Sequence, residues 1–127
     1  YTAGILTNLG HLAMIENNYA EARTLYTESL MFFKQTGEKQ AIIKCLVGWA
    51  NLAQTTGQTE QATKVCGAVE ALLQTTMGNL VSPEQEIYRQ MVVTLRTQLD
   101  ELTFTKIWTE GQAMTLAQAI SYSLGEK

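Results

Sequence analysis

Few residues of this chain are of the types that carry out acid–base or nucleophilic chemistry. It has one histidine, His11, and one aspartate, Asp100. A Ser/His/Asp triad would have to use both, although they lie far apart in the sequence and no serine stands in a nucleophile-elbow motif. We therefore predict that the chain is not an enzyme.

Metal and phosphate sites have no better support in the sequence. His11, Cys45 and Cys66 lack the close spacing of zinc ligands, and no glycine-rich phosphate loop occurs. Glu84 and Glu86 lie two residues apart on a predicted helix and so point to different faces. In a first helical turn they are favoured by the helix dipole, by about 0.3–1 kcal/mol. We expect no catalytic residue, no cofactor and no metal.

The two cysteines lie within apolar helical patterns and have no partner motif. Buried, reduced thiols are the simplest interpretation of Cys45 and Cys66, and a disulfide or a redox function is the alternative. Reduced thiols favour a cytoplasmic location.

Composition limits the kinds of partner. The chain has 127 residues, a formal net charge of −3 and a hydrophobic fraction of 46%, which is typical of one folded domain. An acidic chain without a basic patch fits neither nucleic acid nor an anionic membrane surface. No run of about 18 apolar residues is present to span a bilayer. Because the sequence starts without Met or a signal peptide and resembles the middle of a helix, we expect it to be part of a longer protein.

Helical periodicity predicts an all-α fold of about six or seven helices. The first helix stops at Glu16, and Asn18 with Glu21 forms a capping box for the second. Gly37 ends the second helix, and Gly57 ends the third. Positions predicted to face the core in the first four helices are Leu6, Leu9, Leu12, Ala13, Ala22, Leu25, Tyr26, Ser29, Leu30, Phe33, Ile42, Ile43, Leu46, Trp49, Ala50, Ala53, Ala62, Val65, Cys66, Val69, Leu72 and Leu73.

The C-terminal part has its own start signals. Ser82 as N-cap and Pro83 as the first helical residue begin a fifth helix that should extend to Leu102. Thr103 should cap a short sixth helix, and Thr115 a seventh. The inner positions predicted here are Ile87, Met91, Leu95, Leu99, Leu102, Leu116, Ala119, Ile120 and Leu124.

An internal repeat of about 40 residues relates the first two helix pairs. It also aligns the loop residue Asn17 with Gly57. Residues 1–37 and 38–78 are therefore predicted to be two repeats of a single domain, and 79–127 a divergent helical cap. The repeat aligns Leu6 with Leu46, Leu9 with Trp49, Leu12 with Leu52, Ala13 with Ala53, Ala22 with Ala62, and Leu25 with Val65.

The first pair, most typically from Gly10 to Gly37, resembles the tetratricopeptide repeat. The second pair departs from it, with Trp49-Ala50 in place of Leu-Gly. The resemblance implies a right-handed α–α superhelix of helical hairpins that offers a groove to a protein partner. The residues that match the consensus in order and spacing are Leu9, Gly10, Tyr19, Ala22, Tyr26 and Leu30.

Two further stretches resemble the last repeats of large bacterial signalling proteins of the STAND ATPase type. They run from Cys66 to Leu72 and from Phe104 to Ala119. Such proteins join an effector, for example a LuxR-type transcription regulator, to a nucleotide-binding switch and a tetratricopeptide-like sensor. The resemblance implies that the effector and the ATPase lie upstream of this chain.

In tetratricopeptide proteins the groove is lined by the first helix of each pair. A clamp for a peptide carboxylate is not supported, because Thr7 and His11 stand where its first Lys and Asn would be. His11 is either a groove contact or an ordinary, partly exposed helix residue. Of the neighbours Phe32 and Phe33, only one can face the core. The predicted partner-binding residues are Thr7, His11, Met14, Ile15, Lys44, Val47, Asn51 and Gln54.

We therefore expect a scaffold or sensor segment of a bacterial multidomain regulator. Its partner would be another protein or the upstream domains of its own chain, with no direct contact to nucleic acid or membrane. A purely structural solenoid cap without a ligand is the alternative. The N-terminal stacking face could also hold two copies of the isolated chain together as a dimer.

Overall fold

A computed structural model describes residues 3–76, 80 and 84–125, and all regular structure in them is helical, as predicted. The predicted start signal at Ser82 and Pro83 lies outside the described residues. No helix within these ranges is both long and apolar enough to cross a membrane. The helices are α1 (Ala3–Ile15), α2 (Tyr19–Thr36), α3 (Lys39–Thr55), α4 (Thr59–Thr76), α5 (Glu84–Gln98), α6 (Glu101–Gln112) and α7 (Leu116–Leu124).

The turns that follow α1 and α3 have the same backbone structure. Asn17 has φ 61° and Gly57 has φ 91°, so both adopt the left-handed conformation that ends many helices. In each turn the next residue donates its N–H to the carbonyl five residues earlier, at 2.8 Å after α1 and 2.7 Å after α3. The two loop positions that the repeat aligns, Asn17 and Gly57, therefore share one backbone conformation.

The helices α1, α3 and α5 lie in one row with α3 in the middle, and α2 and α4 pack against them. The position of α3 explains a difference between two equivalent leucines. Leu52 is 1% exposed because α3 has neighbours on both sides, whereas Leu12 is 49% exposed because α1 stands at the end of the row. The prediction that Leu12 faces the core is wrong for this reason.

The corner between α5 and α6 also differs from its prediction. α5 ends at Gln98, and Asp100 is the N-cap of α6, since its carboxylate accepts the backbone N–H of Thr103 at 3.2 Å. Thr103 is therefore inside the helix that it was predicted to cap. Leu102, predicted to be an inner residue of the fifth helix, lies in the first turn of α6 and is 83% exposed.

Other predicted caps are confirmed. Asn18 is the N-cap of α2, because its side chain accepts the N–H of Glu21, but the Glu21 carboxylate accepts the Asn18 side-chain amide at 2.8 Å, so only half of the predicted capping box forms. Gly37 ends α2 in the left-handed conformation. Thr115 forms a complete capping box with Gln118 at the start of α7. These local signals are readable because a cap involves only residues three or four positions apart.

The C-terminal helices do not repeat the hairpin arrangement. α6 packs along α4 and touches α5 only slightly, and α7 packs against α2, α3 and α4. Two glycines permit the close approach of α4 and α6. A Cβ on Gly111 would lie 2.0 Å from the carbonyl oxygen of Lys64, and one on Gly67 would lie 2.3 Å from that of Trp108.

The core is centred on α3 and α4. In α3 each of the predicted inner positions is buried, and in α4 only Leu73 is half-buried rather than buried. Of the two neighbouring phenylalanines, Phe33 is buried and Phe32 is 51% exposed, which confirms that only one faces the core. The buried residues of the main cluster in α3 and α4 are Ile42, Ile43, Cys45, Leu46, Val47, Trp49, Ala50, Ala53, Ala62, Val65, Cys66, Ala68, Val69 and Leu72.

Candidate functional site

A groove of about 540 Å³ lies on the face formed by α1, α3 and α5. α1 contributes an imidazole edge and apolar side chains, α3 an amide and a hydroxyl, and α5 a carboxylate and an isoleucine. The groove is large enough for a short peptide segment. Its lining residues are His11, Met14, Ile15, Asn17, Tyr19, Asn51, Thr55, Glu86 and Ile87.

The predicted groove residues fall into two groups. Thr7 and Val47 are 5% and 0% exposed, so a partner cannot reach them in this structure. Lys44 and Gln54 are half-buried and stand outside the groove lining. The predicted residues that do line the groove are His11, Met14, Ile15 and Asn51.

His11 is held in a buried polar network that joins three helices. Its Nδ1 lies 2.7 Å from the hydroxyl of Tyr26 on α2, and its Nε2 lies 2.9 Å from Oε2 of Glu84 on α5. His11 is 9% exposed and Glu84 4%. The alternative that His11 is an ordinary, partly exposed helix residue is therefore wrong. His11 lines the groove with little exposed surface, since Glu84 in the first turn of α5 contacts its Nε2 and Tyr26 contacts its Nδ1.

Burial determines the protonation of this network. Burial lowers the pKa of His11 below 6.5, and the neighbouring Glu84 carboxylate opposes that shift without cancelling it. A neutral imidazole donates its Nε2–H to the Glu84 carboxylate and accepts the Tyr26 hydroxyl proton at Nδ1. Burial also raises the pKa of Tyr26, so the phenol keeps that proton. Each ring nitrogen of His11 is thus occupied by a partner.

The ring of Tyr26 fits between α1 and α3 because both helices have a glycine there. A Cβ on Gly10 would lie 2.6 Å from the ring, and one on Gly48 would lie 2.5 Å from it. Tyr26 is consequently 0% exposed and is fixed beside His11, with ring centroids 5.6 Å apart. The glycines position the hydroxyl that orients the imidazole.

A second buried polar contact lies one turn earlier on α1. The Thr7 hydroxyl donates to Oγ of Ser29 at 3.1 Å and lies 3.1 Å from Sγ of Cys45. Cys45 and Cys66 are both buried, as predicted, and they form no disulfide in this structure. Burial raises the pKa of the Cys45 thiol to about 11 and also raises that of Cys66. Neither thiol is a nucleophile near neutral pH.

The contact of Glu84 with His11 was not predicted. Glu84 was expected to act only on the dipole of its own helix, whereas its carboxylate pairs with a histidine 73 residues earlier. The sequence does contain one indication that Glu84 is buried. Glu84 precedes Ile87, Met91 and Leu95 by three, seven and eleven positions, so it lies on the core face of its helix. A carboxylate in such a stripe needs a buried partner.

The groove presents both polar and apolar groups at its surface. In the ranges 3–76 and 84–125 with residue 80, no cluster of three or more His, Cys, Asp or Glu side chains is placed to hold a metal ion. Both ring nitrogens of His11 are engaged within the protein. What the groove offers a ligand is an amide from Asn51, a hydroxyl from Thr55 and the apolar surface of Met14 and Ile87.

Comparison of the sequence with protein-family models gave no match, and comparisons with curated proteins and with solved structures gave none either.

Proposed function

We propose that the chain is a binding scaffold whose groove between α1, α3 and α5 holds an extended segment of a protein partner. The observation that carries the proposal is the groove itself, with one wall fixed to the other by the contact between His11 and Glu84. A groove whose walls are already in place costs less conformational entropy to occupy than one that must be ordered on binding.

The lining suits a peptide with small apolar side chains. The amides of Asn17 and Asn51 can pair with a peptide backbone, since each carries both donors and an acceptor. Met14, Ile15 and Ile87 supply apolar contact, and a methionine side chain adapts readily to different shapes.

A peptide phage library panned against the chain tests the proposal. Selected peptides should bind the Asn51→Lys variant at least about tenfold more weakly, equivalent to about 1.4 kcal/mol, because the longer cationic side chain fills the groove. Gln61→Lys makes the same change of charge at an exposed position of α4 and should leave the affinity unchanged. If no peptide is enriched, or if both variants bind equally well, the groove is not a peptide site.

A structural cap without a ligand is the second candidate, and the placement of α6 and α7 favours it. These helices fold back on α2, α3 and α4 and do not add a third hairpin. Such an end would stop further repeats from stacking. Failure of the peptide selection together with normal folding of the Asn51→Lys variant would support this candidate.

The wider context that we propose is the C-terminal sensor of a bacterial multidomain regulator of the STAND type. The support is the resemblance of residues 66–72 and 104–119, together with one structural relation. These two stretches meet at the close crossing of α4 and α6, where Gly67 and Gly111 lie. The reading frame upstream of Tyr1 tests this context, since a frame that encodes no nucleotide-binding domain would exclude it.

A further inference from the structure

α5 has a second face, turned toward α4 and α6, that the groove does not use. In the pairs α1–α2 and α3–α4 the two helices pack along each other, whereas α6 packs along α4 and hardly contacts α5. A cleft of about 430 Å³ lies along α5 at this place. Its lining residues are Glu70, Gln85, Tyr88, Arg89, Val92, Val93, Arg96 and Trp108.

The face of α5 in this cleft has a symmetrical pattern. Arg89 and Arg96 flank the adjacent pair Val92 and Val93, in the order Arg-x-x-Val-Val-x-x-Arg. Seven residues correspond to about two helical turns, or about 10.5 Å, so both arginines lie on one side of the helix. The side chain of Arg89 is 69% exposed, Val93 is 60% exposed and Arg96 is also exposed.

The guanidinium of Arg96 is held at the edge of the cleft by aromatic rings. It lies 4.6 Å from the ring centroid of Phe104, which in turn stacks on Trp108 with centroids 5.3 Å apart. This contact fixes the direction of the cation without neutralising it.

The carboxylates near the cleft, Glu70 and Glu86, already have contacts within the chain. Glu70 is half-buried and accepts a hydrogen bond from the Tyr88 hydroxyl at 3.0 Å. Glu86 lies 4.0 Å from Arg89, a distance at which an exposed pair contributes little. Of the charged residues that line the cleft, Arg89 and Arg96 are exposed and Glu70 is half-buried, so the accessible charge of the lining is mainly positive although the chain as a whole has a net charge of −3.

We propose that this cleft binds an amphipathic helix of a separate partner protein, in which two acidic residues seven positions apart flank two apolar residues. The partner pattern is Glu-x-x-Leu-Leu-x-x-Glu, whose carboxylates meet Arg89 and Arg96 while its leucines cover Val92 and Val93. Because both patterns are symmetrical, the partner helix fits in either direction. The partner helix would pack on α5 as α2 packs on α1 and α4 packs on α3.

Two labelled helical peptides and the full chain test the proposal by fluorescence anisotropy. One peptide carries the glutamate pattern, and the other has lysines in place of the glutamates. The chain should bind the glutamate peptide at least about tenfold more tightly, and the preference should weaken as salt is added because exposed charges are screened. Equal binding of the two peptides would overturn the proposal, and this comparison needs no variant of the chain.

Charge reversal locates the site. The double variant Arg89→Glu with Arg96→Glu should prefer the lysine peptide. The matched variant Arg23→Glu with Lys39→Glu makes the same change of net charge at exposed positions of α2 and α3, and should keep the preference for glutamate. If the cleft variant still prefers the glutamate peptide, the cleft is not its binding site.

A second copy of the chain is the occupant to exclude, since Glu21 and Glu28 also lie seven residues apart on an exposed side of α2. Sedimentation equilibrium should give the unmodified chain and the Arg89→Glu, Arg96→Glu double variant the same mass, because a dimer through the N-terminal stacking face would not use the cleft. A dimer that the Arg89→Glu and Arg96→Glu changes abolish would assign the cleft to self-association and overturn the proposal.

Discussion

The contact between His11 and Glu84 should contribute measurably to stability, and two neighbouring glutamates allow it to be isolated. Glu84 and Glu86 both lie in the first turn of α5, where each carboxylate is favoured by the helix dipole. Only Glu84 is buried against the histidine, whereas the side chain of Glu86 is 57% exposed. The difference between Glu84→Ala and Glu86→Ala therefore cancels the dipole contribution and leaves that of the network, reduced only by the weak exposed contacts of Glu86 with Arg89 and Gln90.

The protonation of His11 determines the size of this difference. Because burial keeps the imidazole neutral, Glu84→Ala leaves a buried N–H without an acceptor, which costs about 1–3 kcal/mol. A charged histidine left unpaired would cost about 3–5 kcal/mol. Glu84→Gln retains an oxygen that can accept the same hydrogen bond and should cost about 1 kcal/mol. Glu86→Ala loses the dipole contribution and weak exposed contacts, and should lower the free energy of unfolding by no more than about 1 kcal/mol.

Urea denaturation followed by circular dichroism measures the free-energy cost of each substitution. Repeating it between pH 7.5 and pH 5.5 also reports the charge state of His11. His11 is the sole histidine, and its pKa in the folded chain lies below 6.5, so the unfolded chain binds the proton more tightly. The free energy of unfolding should not depend on His11 above about pH 6.5. It should decrease as the pH falls below that value, by at most about 1.4 kcal/mol per pH unit. The variant His11→Gln should lack this decrease.

Two results would refute the reasoning. If Glu84→Ala and Glu86→Ala destabilise the chain equally, the buried network contributes nothing beyond the dipole. If the unmodified chain becomes more stable as the pH falls through 6.5, His11 is protonated in the folded state and the assigned direction of its hydrogen bonds is wrong.

Three further substitutions or probes follow from the packing. Gly111→Ala should destabilise the chain by about 1–3 kcal/mol in urea denaturation, because its methyl group would meet the carbonyl oxygen of Lys64. On an open helix face the same change would instead stabilise the chain by up to about 1 kcal/mol. A thiol reagent should label Cys45 and Cys66 only as fast as the chain unfolds, since both are buried and their pKa values are raised; spectroscopic labelling rates in increasing denaturant measure this. Thr115→Ala removes a capping box and should cost about 1 kcal/mol, measured by thermal denaturation.

The sequence predicted the parts of the fold that depend on neighbouring residues. The inner faces of α3 and α4 were readable because helical periodicity repeats every three or four positions. The turns at Asn17 and Gly57 were readable as equivalents, because each ends its helix by a local backbone conformation. Leu12 and Leu102 were assigned wrongly, since periodicity shows that a face is apolar but does not show whether another helix covers it.

Contacts between distant helices could not be read in this way. The carboxylate of Glu84 reaches His11 only because α5 packs beside α3 and its first turn arrives over α1. Likewise, the approach of α6 to α4 depends on two glycines, Gly67 and Gly111, that separately resemble ordinary helix-weakening residues. Their importance appears only when the facing backbone is known.

The buried network also bears on why a groove exists between α1 and α5. Apolar packing is nondirectional, so α5 could slide along α3 at small cost if leucines and valines alone held it. A hydrogen bond to the imidazole tolerates only a narrow range of distance and angle. Tyr26, fixed between Gly10 and Gly48, orients His11, and His11 then fixes the position of Glu84. We infer that the network sets the register of α5, and hence the width of the groove, more than it adds to stability.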